Sequence, residues 1–314
     1  MKQIFLILAI FIAAQFFGTD LKAQCCAAGN PVGGDGSQDA LKKNQLSVFT
    51  AYRHSYSRDY YHKSQKDDIQ NIEKSYYNYG SLSVSYGMNW RFTIHTEMGY
   101  YFDKVQVVNL TNGRQTIKAH GIGDMALTMR YSLLPQTIIN TNRFVLSLGG
   151  RLPVGQFNEE QNGVKIPVSL QPSSGALKLN SSLFFSHKKQ DALLGLSAYA
   201  FFEWSNQINK GLIVYDYGNL FLLEATLFMP VKSAVVLSLA SKVEFRGKDK
   251  KANDFVIEST GSMVLYVKPQ LQWKIVHDLF LLTFAEIPVY KYVNGYQLTN
   301  LYAFQAGIRK TFVL

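Results

Sequence analysis

The chain has almost no cysteine, little proline, few charges and no long apolar run beyond its start. Two cysteines and eight prolines occur in 314 residues. The cysteines are neighbours, Cys25 and Cys26, so they cannot frame long-range disulfides. Nor do they make a metal site, because no His or further Cys lies nearby in sequence to complete a ligand set. A local disulfide, a bond to another chain and an anchor near the membrane all stay open for them. Charged residues make up only 17%, below the usual quarter. Past the N-terminus there is no stretch of about 18 consecutive apolar residues, which argues against a helical membrane protein.

Hydrophobic residues nevertheless make up 47%, with 19 Tyr and 21 Phe. A chain that is apolar on average but lacks apolar runs must disperse its hydrophobes, and alternation along strands is the usual way. The net charge is +10. It is spread through turns and strand faces, with no dense Lys/Arg block and no recognition-helix pattern. Nucleic acid is therefore not an expected partner, and the excess reads as lumen and rim charge.

The first residues read as an export signal. Lys2 supplies the positive end, Ile4 to Phe17 an apolar core, and Leu21-Lys22-Ala23 a small residue before a cut at Gln24. Asp20 and Lys22 stop the apolar core at fourteen residues, too short to span a bilayer comfortably. Lipidation at Cys25 competes, although Lys22-Ala23-Gln24 matches poorly the small apolar residues such sites prefer. Residues 1–23 are thus expected to be cleaved. Residues 24–44, with Cys25, Cys26, Asn30 and Pro31, are small, polar and rich in glycine. They form either a flexible periplasmic leader or a plug.

From residue 45 the chain reads as strand-sized segments separated by gaps that alternate long and short. Twelve strands are expected, near 45–53, 81–90, 91–103, 120–133, 143–154, 176–187, 192–205, 219–229, 234–246, 261–275, 279–293 and 301–314. Long loops are expected at Tyr56–Tyr79, Asn112-Gly113, Gly155–Gly175, Asn206–Gly218, Gly247–Glu258 and Asn294–Thr299. In the third strand Phe92, Ile94, Met98, Tyr100 and Phe102 alternate with Arg91, Thr93, His95, Glu97, Gly99 and Asp103. Period-two alternation places the two sets on opposite sides of a sheet. Pro288 removes a ladder donor and predicts a bulge or kink. The fold expected is all-β: a closed antiparallel up-and-down transmembrane barrel of about 12 strands, with short turns on the periplasmic side. Such a barrel belongs in the outer membrane of a Gram-negative bacterium.

The last strand presents Tyr302, Phe304, Ala306, Ile308, Phe312 and Leu314 on one face. It resembles the C-terminal insertion signal of outer-membrane barrels. That makes the barrel-assembly machinery an expected partner during insertion, beside outer-membrane lipid, lipopolysaccharide and other outer-membrane proteins. Lys310 falls on the lipid-facing parity and is expected to snorkel to the interface.

Alternation places His95, Glu97, Asp124, Arg130, Arg151, Lys178, Glu203, Glu224, Lys242, Glu244, Lys268 and Arg309 inside the barrel. They read equally as a charge-lined path or as a structural network of ion pairs. Their mixed signs argue against a strongly selective ring. Catalysis would need a Ser beside a His. His54-Ser55 and His62-Lys63-Ser64 are the candidates, and pairs of such common residues arise by chance. Gly121–Asp124 is no phosphate loop, since it lacks the Lys-Ser/Thr and the following helix. Neither an enzyme nor a cofactor is expected.

Gly121-Ile122-Gly123-Asp124, with Leu127, Met129, Arg130 and Tyr131, and then Arg151-Leu152-Pro153-Val154-Gly155, resembles a run in one barrel family. That family is labelled for the meta-pathway of phenol degradation and is related to the long-chain fatty-acid transporters. The opening Cys25 to Pro31 is similar to that of other exported barrels of this kind. The resemblance covers mainly residues 120–155 and the leader. It implies a barrel with an N-terminal plug that passes hydrophobic small molecules. The chain is shorter than the fatty-acid transporters and has twelve expected strands where they have fourteen. Together these readings predict a monomeric outer-membrane channel for small solutes. The alternative is a non-enzymatic barrel subunit of a larger assembly or secretion complex, docking through the Tyr-rich stretch at 56–79.

Overall fold

The structure is a computed structural model and describes residues 38–68, 71–110, 113–134, 142–188, 193–210 and 213–314. The expected signal at 1–23 and the leader positions Cys25, Cys26, Asn30 and Pro31 lie outside the described residues. The wall consists of β1 (Gln45–Lys63), β2 (Ile72–Gly87), β3 (Phe92–Leu110), β4 (Gly113–Ile122, continuing as Met125–Ser132) and β5 (Asn142–Leu152). It goes on with β6 (Lys178–His187), β7 (Gly195–Ser205), β8 (Leu220–Lys232), β9 (Val235–Arg246) and β10 (Ser262–Val276).

The final strand, Leu279–Val313, is continuous over 35 residues. Laid straight it would reach about 115 Å at roughly 3.3 Å per residue, several times the hydrocarbon thickness of a bilayer. It doubles back at Gly295, whose φ is +55°. Across the fold the Thr311 N–H donates to the Asp278 carbonyl at 3.0 Å and Lys291 Nζ to Thr299 Oγ1 at 3.0 Å. Its arms are β11 (279–293), paired with β10, and β12 (296–313), paired with β1. Eleven segments, the fourth interrupted at 123–124, therefore close a ring of twelve crossings, and every neighbouring pair is antiparallel. Closure matters because hydrocarbon offers no partner to an open sheet edge.

Side-chain alternation explains which face is which. On β3, Thr93 and His95 are buried whereas Ile94 and Met98 are 39% and 45% exposed. The same split runs through Leu82 and Ser83, Met129 and Arg130, and Leu148 and Ser147. Large apolar side chains face out, and Ser, Thr, Arg, Lys and Glu face in. A water-soluble barrel would reverse this order, so the outer surface is built for lipid. The chain is an outer-membrane β-barrel.

The wall is uneven in height. The expected loop at Tyr56–Tyr79 is mostly paired strand: Tyr56 faces Tyr76 and Ser57 faces Ser75. Likewise β3 and β4 stay paired up to Leu110 and Gly113, and β12 pairs with β1 as far as Tyr296. Polarity in these segments marks where the sheet leaves the membrane, not where it ends, because backbone pairing needs no apolar outer face. A register shift between Tyr101 and Lys104 turns Asp103 outward, against the expected alternation, where it accepts from Asn78 Nδ2 at 2.7 Å. Lys104 is turned inward and is fully buried. The kink at Pro288 is a bulge, with the register shifting between Leu265 and Tyr266 on the facing strand. Lys310 Nζ bends to the carbonyl of His277 in a periplasmic turn, 2.9 Å away.

Candidate functional site: the lumen and its two mouths

At mid-height the lumen is crossed by shared ion pairs. Glu286 on β11 accepts from Arg53 Nη2 on β1 at 2.6 Å and from Lys242 Nζ on β9 at 2.8 Å. Lys242 also faces Glu244 at 3.6 Å, and Glu244 takes Arg246 Nε at 2.7 Å. On the opposite wall Glu203 is flanked by Arg151 at 3.1 Å and Lys178 at 3.2 Å. Glu224 pairs with Lys268 at 3.0 Å. Arg53, Lys242, Glu203, Glu244 and Glu286 are all buried, so the side chains of this layer fill its section.

The segment between β5 and β6 is exposed along most of 156–169, but its end, residues 170–176, turns inward and is buried. Leu170, Gln171, Ser173, Ser174 and Ala176 are buried, and Leu170 packs with Ile166 and Ala119. Asp124 holds the segment. Its carboxylate accepts from the Ser173 hydroxyl at 2.5 Å, the Ser174 N–H at 3.1 Å and the Ser174 hydroxyl at 2.6 Å. Lys104 Nζ donates to the Gln171 carbonyl at 2.9 Å. The Gln171 amide ties the segment to itself, donating to the carbonyls of Glu159 and Ile166 and accepting from the Glu159 N–H.

The glycine pattern near this clamp has a steric cause. A Cβ on Gly155 would lie 2.1 Å from the Ile122 carbonyl, and Gly121 has φ +143°. The stretches 121–124 and 151–155, read together in sequence, are in backbone contact here: the Gln156 N–H donates to the Ile122 carbonyl at 3.2 Å. Only glycine allows so close an approach.

Over the outer rim, Ile208–Lys210, Ile213–Asp216 and Lys250–Lys251 form a separate three-stranded sheet. Beneath it lies the fully buried Asp249, which accepts from the Tyr215 hydroxyl and from the Gly218 N–H at 2.7 Å. Burial pushes its carboxyl up to about 6, despite these two donors.

At the mouth that carries the short turns, residues 39–41 turn into the barrel. The Leu41 N–H donates to Thr93 Oγ1 at 2.8 Å, and Arg130 Nη1 donates to the Asp39 carbonyl at 3.2 Å. The Asp39 carboxylate faces Arg143 Nε at 3.5 Å. Burial raises the Asp39 carboxyl above its usual range, and Arg143 and then Arg130 only partly offset this. The charge contact is therefore a weak one.

The remaining expected residues fall into local contacts. His95 Nδ1 is hydrogen-bonded to Ser85 at 2.8 Å and its Nε2 is 4.0 Å from Glu97. The order resembles a nucleophile, base and acid, but Ser85 is only 2% exposed. His54 and Ser55 point to opposite sides of β1: His54 binds Asn78 on the outside, and Ser55 accepts from Asn300 Nδ2 inside. Arg309 lies over the Phe280 ring near the periplasmic end.

Alternation alone did not expose every lumen charge. Between the rims the inward cations are Arg53, Lys104, Arg130, Arg143, Arg151, Lys178, Lys242, Arg246, Lys268, Lys291 and Arg309. The carboxylates are Glu97, Asp124, Glu203, Glu224, Glu244 and Glu286. Among the described residues eleven cations thus face six carboxylates, or eight when Asp39 beside Arg143 and the buried Asp249 near Arg246 are included, whereas the expected set held nearly equal numbers. Lys104 and Lys291 lie beyond a register shift, so simple parity misplaced them. Arg53 and Arg143 stand in clean alternation with inward serines and were legible in principle.

Neither protein-family models nor curated protein sequences match the chain. Solved structures do. An outer-membrane channel from Pseudomonas putida F1 superposes with a TM-score of 0.69 over 90% of this chain and 100% of its own, at 12% identity. A mutant of the TodX monoaromatic hydrocarbon channel superposes with a TM-score of 0.50 over 88% and 91%, at 11% identity. At such identities the likeness is one of fold.

Proposed function

We propose that the chain is a passive outer-membrane channel for small solutes, obstructed from both ends by its own residues. The closed ring with a charged interior and an apolar exterior carries this reading, because such a wall separates lipid from a polar path. The 24–44 segment acts as the periplasmic gate, of which residues 39–41 form the docked end. Assembly through the β12 terminus, which seals the ring against β1, fits the insertion-signal reading of that strand. Liposome flux of small solutes through the full chain and through a chain lacking 24–44 tests the function. Low flux that rises on removal of the leader is expected. Negligible flux in both contradicts it.

A further inference from the structure

We infer that the solute this barrel passes is a small anion, and that Asp39 occupies the seat such an anion takes on leaving the lumen. The inference rests on the channel reading above and replaces the hydrophobic cargo implied by the resemblance. Two independent observations carry it.

The first is the imbalance of charge inside the wall. Carboxylates in the central layer are shared: Glu286 serves Arg53 and Lys242, and Glu203 serves Arg151 and Lys178. Sharing leaves cations in excess in this layer. Buried charge without full compensation is costly, and a mobile anion relieves that cost by entering. A path with this sign concentrates anions and repels cations.

The second is the periplasmic seat. Arg143 faces the Asp39 carboxylate and Arg130 holds the carbonyl of the same residue, so the chain already places a carboxylate beside these two arginines. The seat is imperfectly filled. The contact to Arg143 Nε is long at 3.5 Å, and Arg143 Nη1 is buried with no hydrogen-bond partner. A free anion able to engage both nitrogens of one guanidinium edge binds better than this side chain does. It would displace Asp39 and with it the docked end of the leader. The gate is then opened by the charge class that the lumen collects.

Reversal potentials in planar bilayers under a KCl gradient test the inference, with chloride as the probe. The full chain is expected to pass chloride over potassium by at least about threefold. Arg130→Gln with Arg143→Gln should lower that preference. Asp39→Asn should raise conductance and keep the preference. If the double arginine variant does not insert, the wild-type reversal potential and the Asp39→Asn variant decide. Conductance with no preference, or with preference for potassium, overturns this inference and leaves the channel standing. Absence of conductance with and without residues 24–44 overturns both.

Discussion

The two ends of the lumen are closed by different means. At the outer end, the segment before β6 is seated by three hydroxyl and N–H donors on Asp124, by Lys104 on the Gln171 carbonyl and by apolar packing of Leu170. At the periplasmic end, residues 39–44 are held by the Leu41 N–H on Thr93, by arginine contacts of 3.2 and 3.5 Å and by backbone bonds of Asn44 with Gly87 and Leu314. Both ends obey the same rule, that buried backbone groups find partners. They differ in what does the holding: a buried carboxylate with converging donors at the outer end, and backbone bonds with long arginine contacts at the other.

Four perturbations sharpen this contrast, the largest at the layer both ends share. Glu286→Ala leaves Arg53 and Lys242 without their common carboxylate and should cost about 3–5 kcal/mol, read as a lower urea midpoint. A shift below about 1 kcal/mol would show that the layer is solvated. Asp124→Ala should release the outer segment at a cost of about 3 kcal/mol, from lost charge-assisted hydrogen bonds. New proteolytic cuts at 170–176 would report it, with those at the leader unchanged.

The rim sheet should respond to pH. The Asp249 carboxyl sits near 6 in the fold, above the ordinary value near 3.9. The folded form thus binds its proton more tightly, so this contribution is present at pH 4 and lost as pH rises through 6. Raising pH from 4 to 7 should weaken the rim sheet by roughly 2–3 kcal/mol. Hydrogen exchange of residues 208–216 checks this, and Asp249→Asn should flatten the profile. Smallest is Asp39→Asn, about 1 kcal/mol or less, detected as faster exchange at Leu41. Because burial outweighs the arginines at Asp39, acid should not release the leader. Release on acidification would mean that charge, not packing, holds it.

The barrel was legible where one face touches lipid and the other does not. Strand β3 between Phe92 and Phe102, and strand β9, show the alternation without a break. It fails where that asymmetry ends. Beyond the membrane, Tyr76 and Ser75 are paired though polar, so the first hairpin looked like a loop. At Lys104 and Lys291 a register shift reverses parity, which no period-two reading anticipates. The inward course of 170–176 was hidden for another reason. Its cause is Asp124, whose partners Ser173 and Ser174 lie some fifty residues away. The glycines at 121 and 155 were visible as a motif, but their contact appears only when the two stretches meet.

Nitroxide labels placed one at a time along residues 92–98, in a chain whose Cys25 and Cys26 are replaced by Ser, test the central claim most directly. Collision with oxygen in the bilayer should peak at Ile94, Thr96 and Met98 and fall at Thr93, His95 and Glu97, with a period of two. Equal oxygen access at both sets, or a peak at His95, would contradict a wall with lipid on one side and charge on the other.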